Sequence, residues 1–239
     1  MNAVDHKKRD AEKIEKMFSR IASRYDLLNH VLSFGLDIIW RREAARETGR
    51  IKCSKILDVC TGTGDMAIEL CRFWEGKVFV DGIDFSSELL EIGNEKVKKA
   101  GLSRKITFTE GNAEKLPYGD EQYDAVTITF GLRNISNRLK SLKEFYRVTK
   151  PEGCFICLEF SQPKNLFVSK IYPFYLTKLL PLVSKILGSD PAAYRYLCNT
   201  IKDFPLPEDL TLLIQSAGWK DVEYRKLANG IVAIHYGRK

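Results

Sequence analysis

The first chemical signal comes from two glycines set between three acids. Ile56-Leu-Asp-Val-Cys-Thr-Gly-Thr-Gly-Asp65 begins with Ile56, Leu57 and Val59, apolar residues that suit a buried parallel strand. Gly62 and Gly64 then permit a tight turn and close approach of a ligand to the backbone. Met66, Ala67, Leu70 and Cys71 follow at helical spacing, so the stretch predicts strand, Gly-rich turn and helix. A helix N-terminus behind such a turn offers free N–H groups to a polar ligand. Val78-Phe-Val-Asp-Gly-Ile-Asp84 predicts a second strand. It ends in Asp84, about 20 residues past the turn, where a Rossmann-like site places a carboxylate on ribose hydroxyls. Turn and distal acid together point to an adenosine-containing cofactor. They do not separate a nicotinamide dinucleotide from S-adenosylmethionine, although the full G-x-G-x-x-G is absent and Asp58 sits inside the end of the first strand.

The elements that must position these residues follow from the order of the chain. Asp10–Arg24 reads as an amphipathic helix with Ile14, Met17, Phe18 and Ile21 on one stripe. Gly35 marks a break before a second helix, roughly Asp37–Gly49. Strands are expected at Ile56–Val59, Val78–Ile83, Ile106–Thr109, Tyr123–Thr129 and Phe155–Phe160. Helices are expected over about Asp65–Phe73, Ser86–Ala100 and Arg138–Val148. This alternation predicts an α/β domain with a parallel sheet and helices on both faces. Asp221–Leu227 and Ile231–Tyr236 flank Asn229-Gly230, a hairpin signal, so the sheet is expected to end in an antiparallel pair.

Composition narrows the rest. The 239 residues suit one such domain, with a net charge of +7 that favours an anionic partner or surface. The six cysteines fit a reduced, cytoplasmic chain with free thiols, since Met1–Asp10 is polar and lacks the features of a signal peptide. Cys154-Phe-Ile-Cys157 has C-x-x-C spacing, but it lies in an apolar strand where residues three apart face opposite ways. His6, His30 and His235 are scattered, and no metal site is expected.

Residues 161–189 interrupt the alternation. Lys164, Lys170, Lys178 and Lys185 occur there without a single acid among apolar residues, and Pro173 and Pro181 break the run. The uncharged stretches are too short to span a bilayer. The segment is expected to roof an apolar pocket or lie on a membrane surface; a homodimer contact and an ordinary core helix pair stay open.

Several longer motifs extend the pattern. They are Tyr25-Asp-Leu-Leu-Asn-His-Val-Leu-Ser-Phe-Gly-Leu-Asp-Ile-Ile-Trp40, Gly111-Asn-Ala-Glu-Lys-Leu-Pro117, Phe130-Gly-Leu-Arg-Asn134 and Arg147-Val-Thr-Lys-Pro-Glu-Gly-Cys-Phe-Ile-Cys-Leu-Glu-Phe-Ser161. Tyr194-Arg-Tyr-Leu197, Phe204-Pro205 and Gly230-Ile-Val-Ala-Ile-His235 complete the set. On these motifs the chain, from about Phe18 onward, resembles the ubiquinone/menaquinone biosynthesis C-methyltransferase family of class I S-adenosylmethionine methyltransferases. Asp37 stands where that family usually has His, Thr61 where many members have Gly or Cys, Thr149 in place of an aliphatic residue and Glu152 in place of Gly.

The resemblance implies a Rossmann-like, mostly parallel seven-stranded sheet, a helical cap over residues 1–50, a methyltransferase domain over 51–239 and an apolar helical insertion over 162–205. It also implies methyl transfer from S-adenosylmethionine to a ring carbon of a polyprenylated quinol, with demethylmenaquinol favoured over a methoxybenzoquinol precursor of ubiquinone. A small-molecule or RNA methyltransferase is a weaker alternative, since no basic stripe with interleaved aromatics is present and no nucleic-acid partner is expected. A non-catalytic assembly subunit is another alternative.

For the cofactor, Asp84 is expected on the ribose, Phe85 and Ala113 against the adenine with Asn112 beside it, and Gly62, Thr63 and Gly64 along the methionine part with Asp58 nearby. Thr129, at the end of the fourth strand, is expected on the sulfonium side. For the chemistry, Arg133 is expected to face the quinol hydroxyl and favour the phenolate. A guanidinium is too weak an acid to serve as the base, so water or a carboxylate takes the proton. Asn134 holds that water in this reading, and Tyr25 closes the pocket. Asp37 either accepts the proton or caps its helix.

Overall fold

The computed structural model describes residue 30, residues 33–163 and residues 191–239, with the backbone alone over 191–195. The expected first helix, Tyr25 and the lysine-bearing stretch Leu166–Leu187 lie outside the described residues.

Seven strands form one sheet in the order β3-β2-β1-β4-β5-β7-β6. They are β1 (Lys55–Val59), β2 (Phe79–Asp84), β3 (Ile106–Glu110), β4 (Tyr123–Thr129), β5 (Thr149–Phe160), β6 (Lys220–Leu227) and β7 (Val232–Arg238). The first five run parallel, while β7 pairs antiparallel with both β5 and β6. The expected mixed sheet with an antiparallel end is therefore present. The central strands are buried on both faces, which is why Ile56-Leu-Asp-Val59 and Tyr123–Thr129 read as continuous runs rather than alternations.

Helices α1 (Leu36–Glu47), α2 (Asp65–Phe73) and α3 (Ser87–Lys99) alternate with the early strands, and α4 (Arg138–Val148) precedes β5. Two further helices, α5 (Pro191–Lys202) and α6 (Pro207–Ser216), precede β6. One core layer combines Trp40, Ala44 and Ala45 of α1 with Met66, Ala67 and Leu70 of α2 and Val97 of α3. The other combines Leu142 and Phe145 of α4 with Leu210 and Ile214 of α6. Cys154 belongs to the first layer and Cys157 to the second, so the C-x-x-C pair straddles the sheet.

Most boundaries fall within two residues of the sequence expectation, and two places differ in kind. Strand β5 begins at Thr149 rather than Phe155, because the chain passes Pro151 and Gly153 through a register shift opposite Tyr123/Ala125 instead of breaking. The final hairpin pairs Leu227 with Val232, so its connection holds four residues, including the turn Ala228–Gly230. Ala228, Asn229 and Gly230 all carry positive φ.

One glycine-lined contact fixes the first turn. Phe108 of β3 lies where a Cβ on Gly64, Gly82 or Gly93 would stand, at 2.5, 2.5 and 2.9 Å from its ring. The turn after β1, strand β2 and helix α3 all close on that one ring, which sets the turn's height above the sheet.

Candidate active site

A cavity of about 300 Å³ opens at the carboxyl ends of β1, β2 and β4. Ligands gather at this edge in open α/β sheets because the strand ends and helix N-termini leave polar backbone groups there. Asp84 forms one wall. It is buried, and its carboxylate accepts hydrogen bonds from the Gly62 N–H at 2.9 Å and the Ser86 N–H at 3.1 Å. Burial pushes the carboxyl up against the opposing pull of these backbone donors. The side chain that caps α3 is Ser86, which accepts from the Leu89 N–H, so Asp84 is not the cap. Ile83, Phe85, Leu89 and Ala113 give the same part of the cavity apolar walls, and Asn112 joins them.

The glycine turn lies beside that wall. Gly62 lines the cavity with a φ of +55°, and its missing Cβ leaves open space. Behind it, Asp58 is fully enclosed and accepts from Thr127 at 2.7 Å and Thr61 at 2.6 Å. Burial pushes its carboxyl up to about 6 despite those two hydroxyls and the nearby Arg41. Arg41 is nearly enclosed as well. It pairs with Asp37, reaches Asp65 at 3.9 Å and stands 5.9 Å from the centre of the Phe130 ring. Asp37 also accepts from His30 and Ser33, each at 2.7 Å. Burial opposes its charge, but these donors outweigh burial and hold it below the usual carboxylate range.

The third wall follows β4. Phe130 has a φ of +55° and Cys60, at the end of β1, one of +54°. Two non-glycine residues in the left-handed region at one cavity edge mark stored backbone strain. Gly131 lets the two turns touch, because a Cβ there would fall 2.5 Å from the Cys60 Cβ. The chain then forms a tight turn over Leu132–Asn134. Within it, Arg133 is not among the residues that line the cavity. Its Nη1 donates to Glu159 at 2.8 Å and to the Phe130 carbonyl, and its backbone N–H donates to the same carboxylate at 3.2 Å. Its Nε–H is buried without a hydrogen-bond partner among the described residues. Asn134 does line the cavity, and its Oδ1 accepts from the Tyr196 hydroxyl of α5 at 3.1 Å.

Of the residues singled out in the sequence, Gly62, Asp84, Phe85, Asn112, Ala113, Thr129 and Asn134 line this one cavity. Asp58, Thr63 and Gly64 stand in the turn and strand behind Gly62. Asp37 belongs to the network around Arg41, and Arg133 to its pair with Glu159. Cys60, Phe130 and Gly131 also line the cavity, and Glu159 and Tyr196 support it; the sequence showed these five only within longer motifs, with no role assigned to them. Glu159 carried a readable signal, being a lone acid in the apolar run Cys154–Phe160, where a charge needs a buried partner. Tyr196 and Cys60 stood in quoted motifs, but neither residue type nor spacing marked a role for them.

Comparison with known proteins agrees with this geometry. The model of the ubiE/COQ5 methyltransferase family matches residues 6–239. A ubiquinone/menaquinone biosynthesis C-methyltransferase UbiE of Geotalea daltonii is 40% identical over 228 residues, covering 95% of this chain and 97% of that relative. A protein of the same name from Francisella philomiragia is 40% identical over 230 residues, covering 95% and 91%. Among solved structures, an S-adenosylmethionine-dependent methyltransferase from Aquifex aeolicus superposes with a TM-score of 0.63 at 21% identity, over 85% of this chain and 91% of that one, a likeness of fold. The cavity suits S-adenosylmethionine. It offers a buried carboxylate, an open cradle at Gly62, and the Thr129 hydroxyl, which is buried without a partner among the described residues. The chain belongs to the ubiE/COQ5 methyltransferase family and is an S-adenosylmethionine-dependent methyltransferase of Rossmann-like fold.

Proposed function

We propose that the enzyme methylates a ring carbon of a polyprenylated quinol, with demethylmenaquinol as the preferred acceptor. The observation that carries this reading is that Asp84 and Asn134 line the same cavity, so a nucleoside site and a donor for a ring oxygen share one chamber. The 40% identity to proteins named for ubiquinone and menaquinone biosynthesis supports the choice of a quinol.

S-adenosylmethionine, when bound, supplies a sulfonium methyl that needs only in-line approach by an electron-rich carbon. In this reading Asp84 accepts the ribose hydroxyls, Phe85, Asn112 and Ala113 bound the adenine, and Gly62, Thr63 and Gly64 run beside the methionine part with Asp58 beneath. Thr129 turns its hydroxyl to the sulfonium side. A quinol carbon gains density as the neighbouring hydroxyl loses its proton, so the chain must favour the phenolate. In this reading Arg133 does this through the field of its guanidinium from behind the lining, and Asn134 helps to hold a water at the ring oxygen. Water takes the proton first. Asp37, already saturated by His30, Ser33 and Arg41, fixes Arg41 over the Phe130 ring. This reading assigns the closing of the chamber to Tyr25, which lies outside the described residues.

The isoprenoid tail lies along the insertion 162–205, which also gives peripheral contact with a membrane, a second copy of the chain being the other candidate for that apolar face. Among the described residues no helix is long and apolar enough to cross a membrane. Each tail CH₂ buried there contributes roughly 0.8 kcal/mol.

The deciding experiment is incubation with labelled S-adenosylmethionine and short-chain demethylmenaquinol and methoxybenzoquinol acceptors, with products identified by mass. Methylation of neither quinol sinks the reading; methylation of the benzoquinol alone reverses the preference. Liposome co-sedimentation of Lys170/Lys178/Lys185→Glu tests the membrane contact, which is rejected if binding equals that of the unsubstituted chain.

A further inference from the structure

We propose that Tyr196 is a positioning residue that locks the Asn134 amide with its NH₂ group turned into the cavity. The proposal rests on the methylation reading above and adds to it the orientation of one side chain. The Tyr196 hydroxyl lies 3.1 Å from Asn134 Oδ1, and Asn134 lines the cavity while Tyr196 stands outside the lining.

The direction of that hydrogen bond follows from its surroundings. A phenol and an amide can exchange a proton either way: the hydroxyl donates to Oδ1, or it accepts from Nδ2. Here Arg133, Arg138 and Glu159 all act electrostatically on the buried phenol, two guanidinium groups against one carboxylate that is itself paired with Arg133. Guanidinium groups only donate, so they draw the oxygen lone pairs toward themselves. The phenolic proton is left to point at Asn134 Oδ1. Arg138 is itself held against the turn, donating to the Leu132 carbonyl at 3.3 Å and the Arg133 carbonyl at 3.1 Å, so this field is fixed rather than incidental.

With one lone pair of Oδ1 taken up from behind, Asn134 turns its two N–H donors to the chamber. Such a group stabilises an oxygen that carries negative charge and gains little from a neutral hydroxyl that needs to donate. Tyr196 thereby selects for the ionised acceptor. Because Tyr196 sits on α5, within the insertion 162–205, the selection depends on the packing of that helix on the Leu132–Asn134 turn.

The test is a double-mutant cycle on the full-length enzyme with Tyr196→Phe, Asn134→Ala and both. Tyr196→Phe is expected to lower kcat about tenfold, the worth of one oriented hydrogen bond. The KM for S-adenosylmethionine and the melting temperature should stay near those of the unsubstituted enzyme. In the Asn134→Ala background the Tyr196→Phe change should have no further effect, because its target is gone. A second arm needs no turnover: with asparagine labelled in nitrogen-15, the Asn134 side-chain NH₂ resonances should move in Tyr196→Phe. Unchanged kcat, effects that multiply in the double variant, or unmoved resonances would each overturn the proposal. Failure of the unsubstituted enzyme to methylate quinols would count against the functional reading instead, and the resonance arm would still decide the contact.

Discussion

Arg133 Nη1 and Glu159 Oε1 lie 2.8 Å apart, both enclosed, on segments that neighbour only because β4 pairs with β5. Removing one member of such a pair strands a buried charge and typically costs about 3–5 kcal/mol. Glu159→Gln should therefore lower stability by that order in denaturant titration. The double replacement Arg133→Met with Glu159→Met should regain most of it. Structure and chemistry then separate: the double variant should bind S-adenosylmethionine normally by calorimetry and lose about 10²–10³ in quinol turnover. Near-normal turnover would make the pair purely structural.

Asp84 is expected to dominate cofactor affinity. Two ribose hydroxyls donating to one buried carboxylate are worth about 1.5–3 kcal/mol each. Asp84→Ala should weaken S-adenosylmethionine binding at least about 100-fold in calorimetry, and Asp84→Asn should fall between. Unchanged affinity in the alanine variant would remove Asp84 from the site.

The ring of Phe108 leaves no room beside β2. A methyl added in Gly82→Ala would meet that ring at 2.5 Å and the Thr61 methyl at 2.9 Å. Overpacking of this kind costs about 1–3 kcal/mol. Thermal melts should show the loss, and Phe108→Leu in the same chain should recover part of it. An additive loss in the pair would place the strain elsewhere.

Acid behaviour should divide between two buried groups. Burial holds His235 at about 4, while its Nε2–H donates to the Pro207 carbonyl at 3.0 Å. The unfolded imidazole takes its proton near 6.5, so His235 contributes stability above that pH that is lost as pH falls toward 4. Asp58, raised to about 6, works the opposite way: its contribution is present below about 3.9 and lost as pH rises through 6. The two slopes offset one another. His235→Gln should therefore make the protein about 3 kcal/mol more stable at pH 4, relative to pH 6.5, than the unsubstituted chain. Chemical denaturation at the two pH values measures this, and an unchanged slope would refute the assignment.

Much of this arrangement was legible in the sequence because it is local. The strand, glycine turn and helix from Ile56 to Phe73 need only neighbouring residues to define them, and Asp65–Phe73, Tyr123–Thr129 and Arg138–Val148 match their expected bounds. Strand β5 was read short because Pro151 and Gly153 resemble a stop, whereas the sheet carries the chain past them. Contacts between distant residues could not be read. Arg133 follows β4 and looked free to meet substrate, but its partner lies 26 residues on, and the partner of Asn134 lies 62 residues on. Those pairings depend on strand order and on where α5 docks, and no spacing rule encodes them.

Cys60 lines a chamber proposed to hold a quinol, and a quinol that loses two electrons becomes a quinone, an electrophile that captures thiolates. Burial pushes the Cys60 thiol well up, and the carboxylates of Asp84, Asp58 and Glu159 push it further. Every other cysteine of the chain is raised as well. The acids that organise the cavity thus also hold this sulfur protonated, and a protonated sulfur is a poor nucleophile toward the oxidised form of the proposed acceptor.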